Sequence, residues 1–545
     1  MEKIFEQVAK KLNLKLSQIV NTMELLDGGA TVPFISRYRK EVTENLDEIQ
    51  IGNILESVTY LRNLEKRKEE VIRLIEEQGK LTDEIKTSIE NAQILQEVED
   101  IYFPYRKKRK TKADKAIEDG LEPLADFALQ ANDLETLNIK ANEFLNDNIK
   151  NIDEAIEGAK LILAQRISET PIYREKIREI MLTKGIINTK ETKKAKELDP
   201  KKVYGDYYDY SEQISKIVSH RVLAVNRGEK DEVLSVTITF EDAIRNRIEN
   251  LILKDFTNQN LKDFYLIIIK DALDRLILPS IEREVRNILT EKAETESIEV
   301  FKENLKNLLM QPPLNEKAIL ALDPGYRTGC KVAIIDKNGF YQKNDVFFLV
   351  DKMHSPKQLE DAEKKIVKYV KEYDIDIIVM GNGTASRETE SFVAKVIKNN
   401  NLNTKYLIAN EAGASVYSAS KIASEEFPDL DVTVRGAISI GRRIQDPLAE
   451  LVKIDPKSIG VGMYQHDVNQ GRLDESLDAV ITYVVNSVGA NLNTASWALL
   501  SHISGIKKNV AKNIVDYRKE NGNFGRTDNL IDLVFAFVKT MFRTS

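Results

Sequence analysis

The sequence predicts a multidomain protein that is mainly α-helical and carries one α/β domain near its centre. A chain of 545 residues exceeds what one hydrophobic core usually organises. Across residues 1 to about 185, apolar residues recur three and four positions apart, as they do along amphipathic helices. From Lys317 to about Ile454, short apolar runs alternate with helical segments, which is typical of a mixed α/β sheet.

Composition and charge argue against several classes of protein, among them strongly basic nucleic-acid binders, disulfide-bonded or zinc proteins, and membrane proteins. Charged residues make up 31% of the chain and the formal net charge is −7, so any contact with nucleic acid needs a local basic patch. The single cysteine, Cys330, cannot form an internal disulfide or a multi-thiolate zinc site, and we expect it in a strand core. The N-terminus lacks the apolar core of a signal peptide, and no run of about 18 apolar residues occurs. We therefore predict a cytoplasmic protein without a membrane span.

Changes of pattern divide the chain into five predicted segments. These are a helical region (1–190), a helical middle region (191–313), an α/β domain (317–454), a region of short helices (455–531) and a tail (532–545). A lysine- and glutamate-rich stretch between about 182 and 210 marks the first change, and a β-like run follows at Val233–Phe240. Pro312 and Pro313 form a linker because neither can continue a helix.

A basic loop lies in the helical region. Its basic residues are Arg106, Lys107, Lys108, Arg109, Lys110, Lys112 and Lys115, directly after the aromatic residues Tyr102, Phe103 and Tyr105. Such a cluster can neutralise phosphates while the rings stack on bases. The alternative, which the residues alone favour, is a solvated loop whose aromatic residues anchor it to the core.

The α/β domain places acids at three separate positions. Strands are predicted at Ala318–Leu322, Cys330–Ile335, Asp345–Val350, Ile375–Met380 and Thr404–Ala409, with helices at 357–373, 387–399, 413–425 and 434–452. Asp323 ends the first strand, Glu411 follows the last, and Asp446 is expected on the late helix with Glu450 one turn further. Together Asp323, Glu411 and Asp446 are candidate catalytic residues that would hold Mg²⁺ or Mn²⁺. The alternative, ordinary surface acids, is more frequent.

Two further features of this domain have open interpretations. Gly381-Asn382-Gly383-Thr384 precedes a helix, so its amides could receive a phosphate, or Thr384 or Ser386 could cap the helix. Arg442 and Arg443 either contact nucleic acid or pair with Asp446 and Glu450.

Near the end of the chain, residues 491–520 are predicted to form a helix–hairpin–helix. Ser504-Gly505-Ile506 would form the turn, and Lys507 and Lys508 would stand at the start of the second helix. Such a hairpin directs backbone amides at a phosphate without reading sequence. An ordinary turn between two helices is the alternative.

Several long segments resemble the Tex family of bacterial transcription accessory proteins. They are GATVPFISRYRKE, FPYRKKRKTKADKAIEDGLEPLAD, LDPGYRTGCKVAIID, NGTASRETE, NEAGASVYSAS, GAISIGRRIQDPLAELVKIDPKSIGVGMYQHDV and LDAVITYVVNSVGANLNTAS. The resemblance implies a helical Tex N-terminal region, a helix-turn-helix-like middle, a YqgF-type RNase H-like domain and a helix–hairpin–helix region. It also implies that Glu411 is the second acid of the site, whereas a resolvase would carry one near Met380-Gly381-Asn382-Gly383.

The resemblance also implies a function. A Tex-like protein is expected to bind RNA, preferentially single-stranded, with DNA and RNA polymerase as further partners, and to act as a scaffold that requires no cofactor. The alternative is a Mg²⁺- or Mn²⁺-dependent nuclease or resolvase that uses Asp323, Glu411 and Asp446. After about Ile531 the sequence departs from the family pattern, which predicts a divergent or truncated tail without the C-terminal OB-fold RNA-binding domain.

Overall fold

The computed structural model describes residues 2–106, 110–350, 353–490, 492, 495–503 and 505–521. The chain divides into two compact units. Unit 1 consists of Met1–Ala30 and Arg39–Glu296, and unit 2 of Thr31–Tyr38 and Ser297–Ser545. The predicted tail, 532–545, lies outside the described residues.

The first 185 residues are helical, as predicted. Their helices are α1 (Glu2–Leu12), α2 (Leu16–Asp27), α3 (Val32–Tyr38), α4 (Glu48–Glu76), α5 (Asp83–Asn91), α6 (Leu95–Tyr102), α7 (Lys112–Glu118), α8 (Glu122–Ala128), α9 (Leu134–Ala141), α10 (Ile152–Glu169) and α11 (Pro171–Lys184). The long helix α4 begins where the Asp47 side chain accepts a hydrogen bond from the amide of Gln50. Its apolar stripe, including Val58, Leu64 and Val71, is buried, so the helical period marks the core face correctly.

A small antiparallel sheet follows in unit 1. Its strands are β1 (Ile186–Glu191), β2 (Asp209–Gln213) and β3 (Leu234–Thr239), in the order β2-β1-β3. Only β3 was expected, because β1 and β2 lie in the lysine- and glutamate-rich stretch. Only Ile187 and Thr189 of β1 are buried, so most of its residues are polar and its apolar signal is weak.

The rest of unit 1 is helical again. Its helices are α12 (Ala195–Leu198), α13 (Ser219–Lys230), α14 (Asp242–Leu253) and α15 (Lys262–Asp271), and α16 (Leu278–Leu309) continues from unit 1 into unit 2. A single π-helical stretch, Ala272–Ile277, joins α15 to α16.

The predicted α/β domain is present in unit 2. Its strands are β4 (Ile319–Asp323), β5 (Cys330–Ile335), β6 (Tyr341–Phe347), β7 (Ile377–Gly381) and β8 (Lys405–Ala409), and its helices are α17 (Pro356–Glu372), α18 (Ser386–Asn399), α19 (Ala414–Ser418), α20 (Lys421–Glu426), α21 (Val432–Gln445) and α22 (Pro447–Leu451). The strand order is β6-β5-β4-β7-β8. The strands β4, β5 and β6 pair antiparallel, and β4, β7 and β8 pair parallel.

Alternate residues of the strands build two apolar layers, one on each face of the sheet. Leu320 and Leu322 pack on the face covered by α17 and α18. Ile319 and Ala321 pack on the opposite face, against α21. Because side chains alternate along a strand, one short apolar run supplies both layers, and Cys330 is buried among them as expected.

One predicted helix of this domain is wrong in its extent. The expected helix 434–452 ends at Gln445, and α22 begins after a break at Asp446, whose backbone is extended. The physical reason is Pro447, because the residue before a proline is disfavoured in the helical region. Asp446 and Glu450 therefore do not share the helix of Arg442 and Arg443. The expected helix 413–425 is likewise two short helices, α19 and α20.

The chain described beyond the α/β domain is helical. Its helices are α23 (Gln470–Val488), α24 (Trp497–Leu500) and α25 (Lys508–Asn521). Among the described helices, none combines the length and the apolar character that crossing a membrane requires.

Candidate functional site

Asp323 and Glu411 lie together at the carboxyl ends of the parallel strands of the large sheet. Leu322 pairs with Met380, and Gly381 pairs with Ala409, so the carboxyl ends of β4, β7 and β8 lie side by side. Asp323 is the last residue of β4, and Glu411 follows β8 by two residues. The parallel register therefore brings together two acids that are far apart in sequence.

Two glycines make room for the Glu411 side chain. A Cβ on Gly381 would lie 2.1 Å from Oε2 of Glu411, and a Cβ on Gly383 would lie 1.8 Å from Oε1. The Asn382 side chain accepts a hydrogen bond of 3.1 Å from the Glu411 amide. The Gly-Asn-Gly turn thus seats a carboxylate, which disfavours the alternative that it receives a phosphate.

The predicted capping of α18 by Thr384 or Ser386 is wrong. The N-cap residue is Ala385, which has a left-handed backbone with φ of 61° and no side-chain cap. Ser386 is already within the helix. The chain therefore enters α18 through backbone geometry, without a hydroxyl cap.

Burial and a neighbouring charge make Asp323 a weak acid. Desolvation and, to a smaller extent, the negative charge of Glu411 raise the pKa of Asp323 against the opposing charge of Lys331, and the resulting pKa is about 6. Lys331 is the cross-strand partner of Asp323 on β5. A carboxyl group with such a pKa exchanges its proton near neutral pH, which is common at functional sites.

Asp446 does not join this pair. A Cβ on Gly436, in α21, would lie 3.4 Å from Oδ2 of Asp323, whereas one on Gly441 would meet Ala321 and Ile319. At the other end of α21, the Gln445 side chain donates a hydrogen bond of 2.7 Å to the carbonyl of Lys317, which lies just before β4. The helix α21 therefore runs antiparallel to β4, from Asp323 at the end of the strand to Lys317 before its start. Asp446 follows there, exposed, and its side chain caps α22 by accepting from Ala449.

This arrangement bears on the expected metal. Two-metal sites clamp their ions between several carboxylates. Within the ranges that the structure describes, no group of three or more His, Cys, Asp or Glu side chains is arranged to hold a metal ion. Of the three candidate acids, Asp323 and Glu411 lie together and Asp446 lies apart from them. The residues at this position therefore do not fit a two-metal centre.

Arg443 braces the loop that carries Glu411. Its Nη1 donates to the carbonyls of Asn410 (2.6 Å) and Ala412 (2.9 Å), one on each side of Glu411. Burial lowers the pKa of the Arg443 guanidinium, while the charges of Glu450 and Glu411 oppose that effect. Only 6% of Arg443 is exposed, so it is a positioning residue inside the fold and not a surface contact for nucleic acid.

Arg442 also makes internal contacts. Its Nε donates to the Gly339 carbonyl (2.9 Å), Nη1 lies 3.5 Å from Glu426, and the guanidinium lies 4.9 Å from the centre of the Phe427 ring. The expected pairing of Arg442 and Arg443 with Asp446 and Glu450 is thus replaced by other partners. Glu450 instead pairs with Lys453, at 2.9 Å.

The aromatic residues before the basic loop anchor it. Tyr102 and Tyr105 pack against an apolar cluster of α4 and α5, and the Arg174 guanidinium lies 3.7 Å from the centre of the Phe103 ring. Arg106 packs near the rings of Tyr102 and Phe103, at 5.9 and 5.8 Å. The rings are therefore engaged within unit 1, as the anchoring alternative predicts.

The described cations of this loop differ in their partners. Arg106 pairs with Glu99, and Lys110 pairs with Glu118 at 2.7 Å. Lys112 is exposed at the start of α7. The exposed Lys110–Glu118 pair is weak, so a phosphate can replace its carboxylate, whereas Glu99 is mostly covered and also pairs with Arg67. Lys107, Lys108 and Arg109 lie outside the described residues.

The predicted hairpin near the C-terminus has its cations at a helix start. Gly505 has a left-handed backbone with φ of 92°, and exposed Lys507 and Lys508 stand at the beginning of α25. Trp497, in α24, lies against the first turns of α25. The ammonium groups of Lys508 and Lys512 lie 5.0 and 4.8 Å from the centre of its ring. A helix N-terminus with lysines favours an anion.

Sequence reasoning missed two features of the acid site. The pattern around Gly381 and Gly383 predicts either a phosphate-binding turn or a capped helix start, whereas the two glycines accommodate Glu411. Arg443 was grouped with Arg442 as a surface cation. One available signal was the apolar pattern of α21, whose positions at Ile440 and Ala437 place Arg443 on the same buried face.

Comparisons with known proteins match segments along the chain. Residues 2–76 match a Tex-like protein N-terminal domain, residues 134–301 a Tex central region-like model, residues 317–445 the Tex protein YqgF-like domain and residues 485–533 a helix-hairpin-helix motif.

Curated relatives are similar over nearly the whole chain. The Bacillus subtilis protein called uncharacterized protein YdcI is 48% identical over 98% of this chain and 74% of its own length. The Neisseria gonorrhoeae transcriptional accessory protein Tex is 42% identical over 96% of this chain and 69% of its own length. Human S1 RNA-binding domain-containing protein 1 is 35% identical over 96% of this chain and 53% of its own length. At this similarity, and with three Tex models matched between residues 2 and 445, the chain belongs to the Tex family.

Proposed function

We propose that this chain is a transcription accessory factor that binds single-stranded RNA and acts as a non-catalytic scaffold. The observation that carries the proposal is the start of α25, where Gly505, Lys507 and Lys508 expose amides and two cations together. Phosphate contacts of this kind bind the backbone of any sequence. The relatives' names, which include a transcriptional accessory protein and an RNA-binding domain protein, point the same way.

The basic loop gives this scaffold a second contact. Lys112 is exposed, and Lys110 pairs with the exposed carboxylate of Glu118, which a phosphate can displace. Because the aromatic residues beside the loop are engaged within unit 1, we infer that the loop contributes charge rather than base stacking. Binding is then strongly salt-dependent and tolerant of sequence.

Binding of a labelled single-stranded RNA to the full chain tests the proposal. Anisotropy is measured from about 50 to 200 mM salt for the chain, for Lys507→Ala/Lys508→Ala, and for the control Lys364→Ala/Lys368→Ala on α17. We expect the hairpin variant to lose about 10-fold in affinity and the control to lose little, because two phosphate contacts are removed only in the first. Affinity that is independent of salt, or equal in both variants, would overturn the proposal.

Trp497 supplies a second readout of the same event. It is the only tryptophan of the chain, and it lies next to Lys508 and Lys512. RNA that occupies the start of α25 should change its fluorescence with the same midpoint as the anisotropy. A change in anisotropy without any change in fluorescence would place the RNA elsewhere on the chain.

The pair Asp323–Glu411 favours a second candidate function, a nuclease that depends on Mg²⁺ or Mn²⁺. A pKa of about 6 on a partly buried acid is the observation behind it. Against it, Asp446 lies at the other end of β4. Incubation with labelled RNA and branched DNA, with and without Mn²⁺, separates the two functions: cleavage that Asp323→Asn abolishes supports the nuclease, and intact substrate supports the scaffold.

We further propose that the chain acts in the cytoplasm with the transcription machinery as its partner. RNA polymerase is the partner that a transcription accessory role requires, and DNA is a second nucleic acid that the hairpin can bind. Pull-down of polymerase subunits after nuclease treatment tests the protein contact. If polymerase subunits are no longer recovered after nuclease treatment, the association is mediated by nucleic acid that both proteins bind.

A further inference from the structure

The last strand of the large sheet, β8, exposes apolar side chains on both faces of the sheet. Tyr406, Leu407 and Ile408 are 39%, 39% and 42% exposed, although their three partners on β7 are fully buried. The register with β7 places Tyr406 and Ile408 on the face that α17 and α18 cover, and Leu407 on the face of α21. A strand at the edge of a sheet with three consecutive exposed apolar residues is a surface on which another strand can pair.

The outer edge of β8 carries unpaired backbone groups. Among the residues that the structure describes, β7 is the only strand that pairs with β8. The amide of Lys405 donates to the carbonyl of Asp376, just before β7, over 3.2 Å. Because successive residues of a strand direct their backbone groups to opposite sides, the amides and carbonyls of Tyr406 and Ile408 point away from β7. The edge therefore offers two donors and two acceptors at the spacing of an extended chain.

These groups fit an extended peptide that adds a sixth strand to the sheet. In this mode of recognition, main-chain hydrogen bonds supply affinity and the side chains supply specificity. Neither a proline nor a bulge, which often protect an edge strand, occurs in β8 or in its pairing with β7. A second copy of the chain is a poorer occupant, because β8 has five residues and a stable subunit interface uses about 20–30 residues a side.

The side chains of β8 specify the peptide further. Lys405 is the single charged residue of the strand and is exposed, and within the described part of the chain it has no ion-pair partner. An acid opposite a lysine is a favourable cross-strand pair, whereas a second lysine there is unfavourable. We propose that the outer edge of β8 binds an extended segment of a partner protein, antiparallel to the strand, in which three apolar residues are followed by an acidic residue.

A synthetic peptide tests this proposal on the full chain. The probe Gly-Ser-Ile-Val-Ile-Glu-Ser-Gly, with a fluorophore at its N-terminus, places its isoleucines opposite Ile408 and Tyr406 and its glutamate opposite Lys405. Binding is measured by anisotropy for this probe and for two N-methylated forms. One form carries methyl groups on both isoleucine amides, which face β8, and the other carries one on the valine amide, which faces away.

The two methylated forms separate strand pairing from simple apolar contact. We expect methylation of the isoleucine amides to weaken binding by at least about 10-fold, because two hydrogen bonds to β8 are lost. Methylation of the valine amide should change the affinity little. Equal affinities of the two forms, or no saturable binding of the unmodified probe, would overturn the proposal.

Charge reversal tests the same register from the side of the protein. Lys405→Glu should weaken binding of the probe about 5-fold, and a probe with lysine in place of glutamate should prefer this variant to the unchanged chain. Lys371→Glu, at an exposed position of α17, is the control and should bind both probes as the unchanged chain does. A variant that keeps the original preference would contradict the register.

The molar mass of the full chain, measured by light scattering at the concentrations of the binding experiment, identifies a competing occupant. We expect a monomer with and without the probe. A dimer that the probe disperses would assign the edge of β8 to a second copy of the chain and overturn the proposal.

Discussion

The carboxylate of Glu411 occupies the space that a side chain on Gly383 would need. A Cβ built on Gly383 lies 1.8 Å from Oε1 and 2.6 Å from Cδ of Glu411. Gly381 restricts the same side chain from the end of β7. The Gly-Asn-Gly turn and the acid are therefore complementary in shape, although they lie about thirty residues apart in the chain.

This complementarity predicts the effect of Gly383→Ala. The new methyl group displaces the Glu411 side chain, and Asp323 loses the neighbouring negative charge that raises its pKa. We expect the pKa of Asp323 to fall below about 6, although burial still holds it above its ordinary value, and we expect the free energy of unfolding to decrease. The dependence of unfolding on pH measures the first effect and urea denaturation the second.

Gly52→Ala is the matched control for that substitution. Gly52 lies in α4, and a Cβ there meets nothing within 4 Å. Alanine should therefore stabilise the helix by about 0.5–1 kcal/mol. Loss of stability in both variants, or an unchanged pH dependence in Gly383→Ala, would contradict the steric argument.

The raised pKa of Asp323 predicts a stability that falls as pH rises. The folded chain holds the proton to about pH 6, whereas the unfolded chain releases it near 3.8. Between these values the folded state binds more protons, so the free energy of unfolding decreases with increasing pH and the cost is complete above about pH 6. Asp323→Asn removes the cost and should stabilise the chain at pH 7.5 by up to about 3 kcal/mol.

Urea denaturation of Asp323→Asn and of the unchanged chain at pH 4 and pH 7.5 checks the direction of this pH dependence. The gain in the free energy of unfolding should be present at pH 7.5 and almost absent at pH 4. Asp429→Asn, at an exposed acid of the same domain, is the control and should show the same small difference at both values. A gain for Asp323→Asn that does not change with pH would contradict the assignment.

The brace around Glu411 predicts a large cost for removing Arg443. Arg443→Met leaves the Asn410 and Ala412 carbonyls without their donor and leaves Lys453 as the nearby positive charge for the buried Glu450. The expected loss is about 3–5 kcal/mol, which is typical when one member of a buried charged set is removed. Arg73→Met, at a residue 67% exposed, should change stability by less than about 0.5 kcal/mol. Equal effects would mean that Arg443 contributes no more than a surface arginine.

Much of the fold followed from sequence periodicity, and the exceptions have physical causes. The strands of the large sheet are apolar on both faces, so they stand out as short apolar runs. The strands β1 and β2 belong to a sheet with few buried residues, so polar side chains conceal them. The break at Asp446 is signalled by the Asp446-Pro447 dipeptide, but the helical pattern on both sides of it predicts one helix over 434–452.

The candidate site was predictable in part for a related reason. A parallel register brings the ends of β4, β7 and β8 together, so one acid at the end of β4 and one just after β8 are enough to predict the proximity of Asp323 and Glu411. The position of Asp446 depends on the direction in which α21 packs along β4, and no local sequence pattern specifies that direction. The bracing role of Arg443 depended on burial, and burial of an arginine is a tertiary property.

A buried network in unit 1 predicts strong coupling between Arg178 and Asp100. Arg178 donates two hydrogen bonds to Asp100, of 2.8 and 2.6 Å, and two to Glu284, of 3.1 and 2.8 Å. Arg174 packs on Phe103 and also pairs with Glu284. The network joins α6, α11 and α16 at the point where the chain enters the basic loop. Arg178→Met and Asp100→Leu should each cost about 3–5 kcal/mol, because each removes two hydrogen bonds from a buried charge and leaves it only partly compensated. The double variant should cost less than the sum by at least about 1 kcal/mol, since removing both partners leaves no orphan between them. Urea denaturation of the four proteins closes the cycle, and strictly additive losses would show that Asp100 and Arg178 stabilise unit 1 independently.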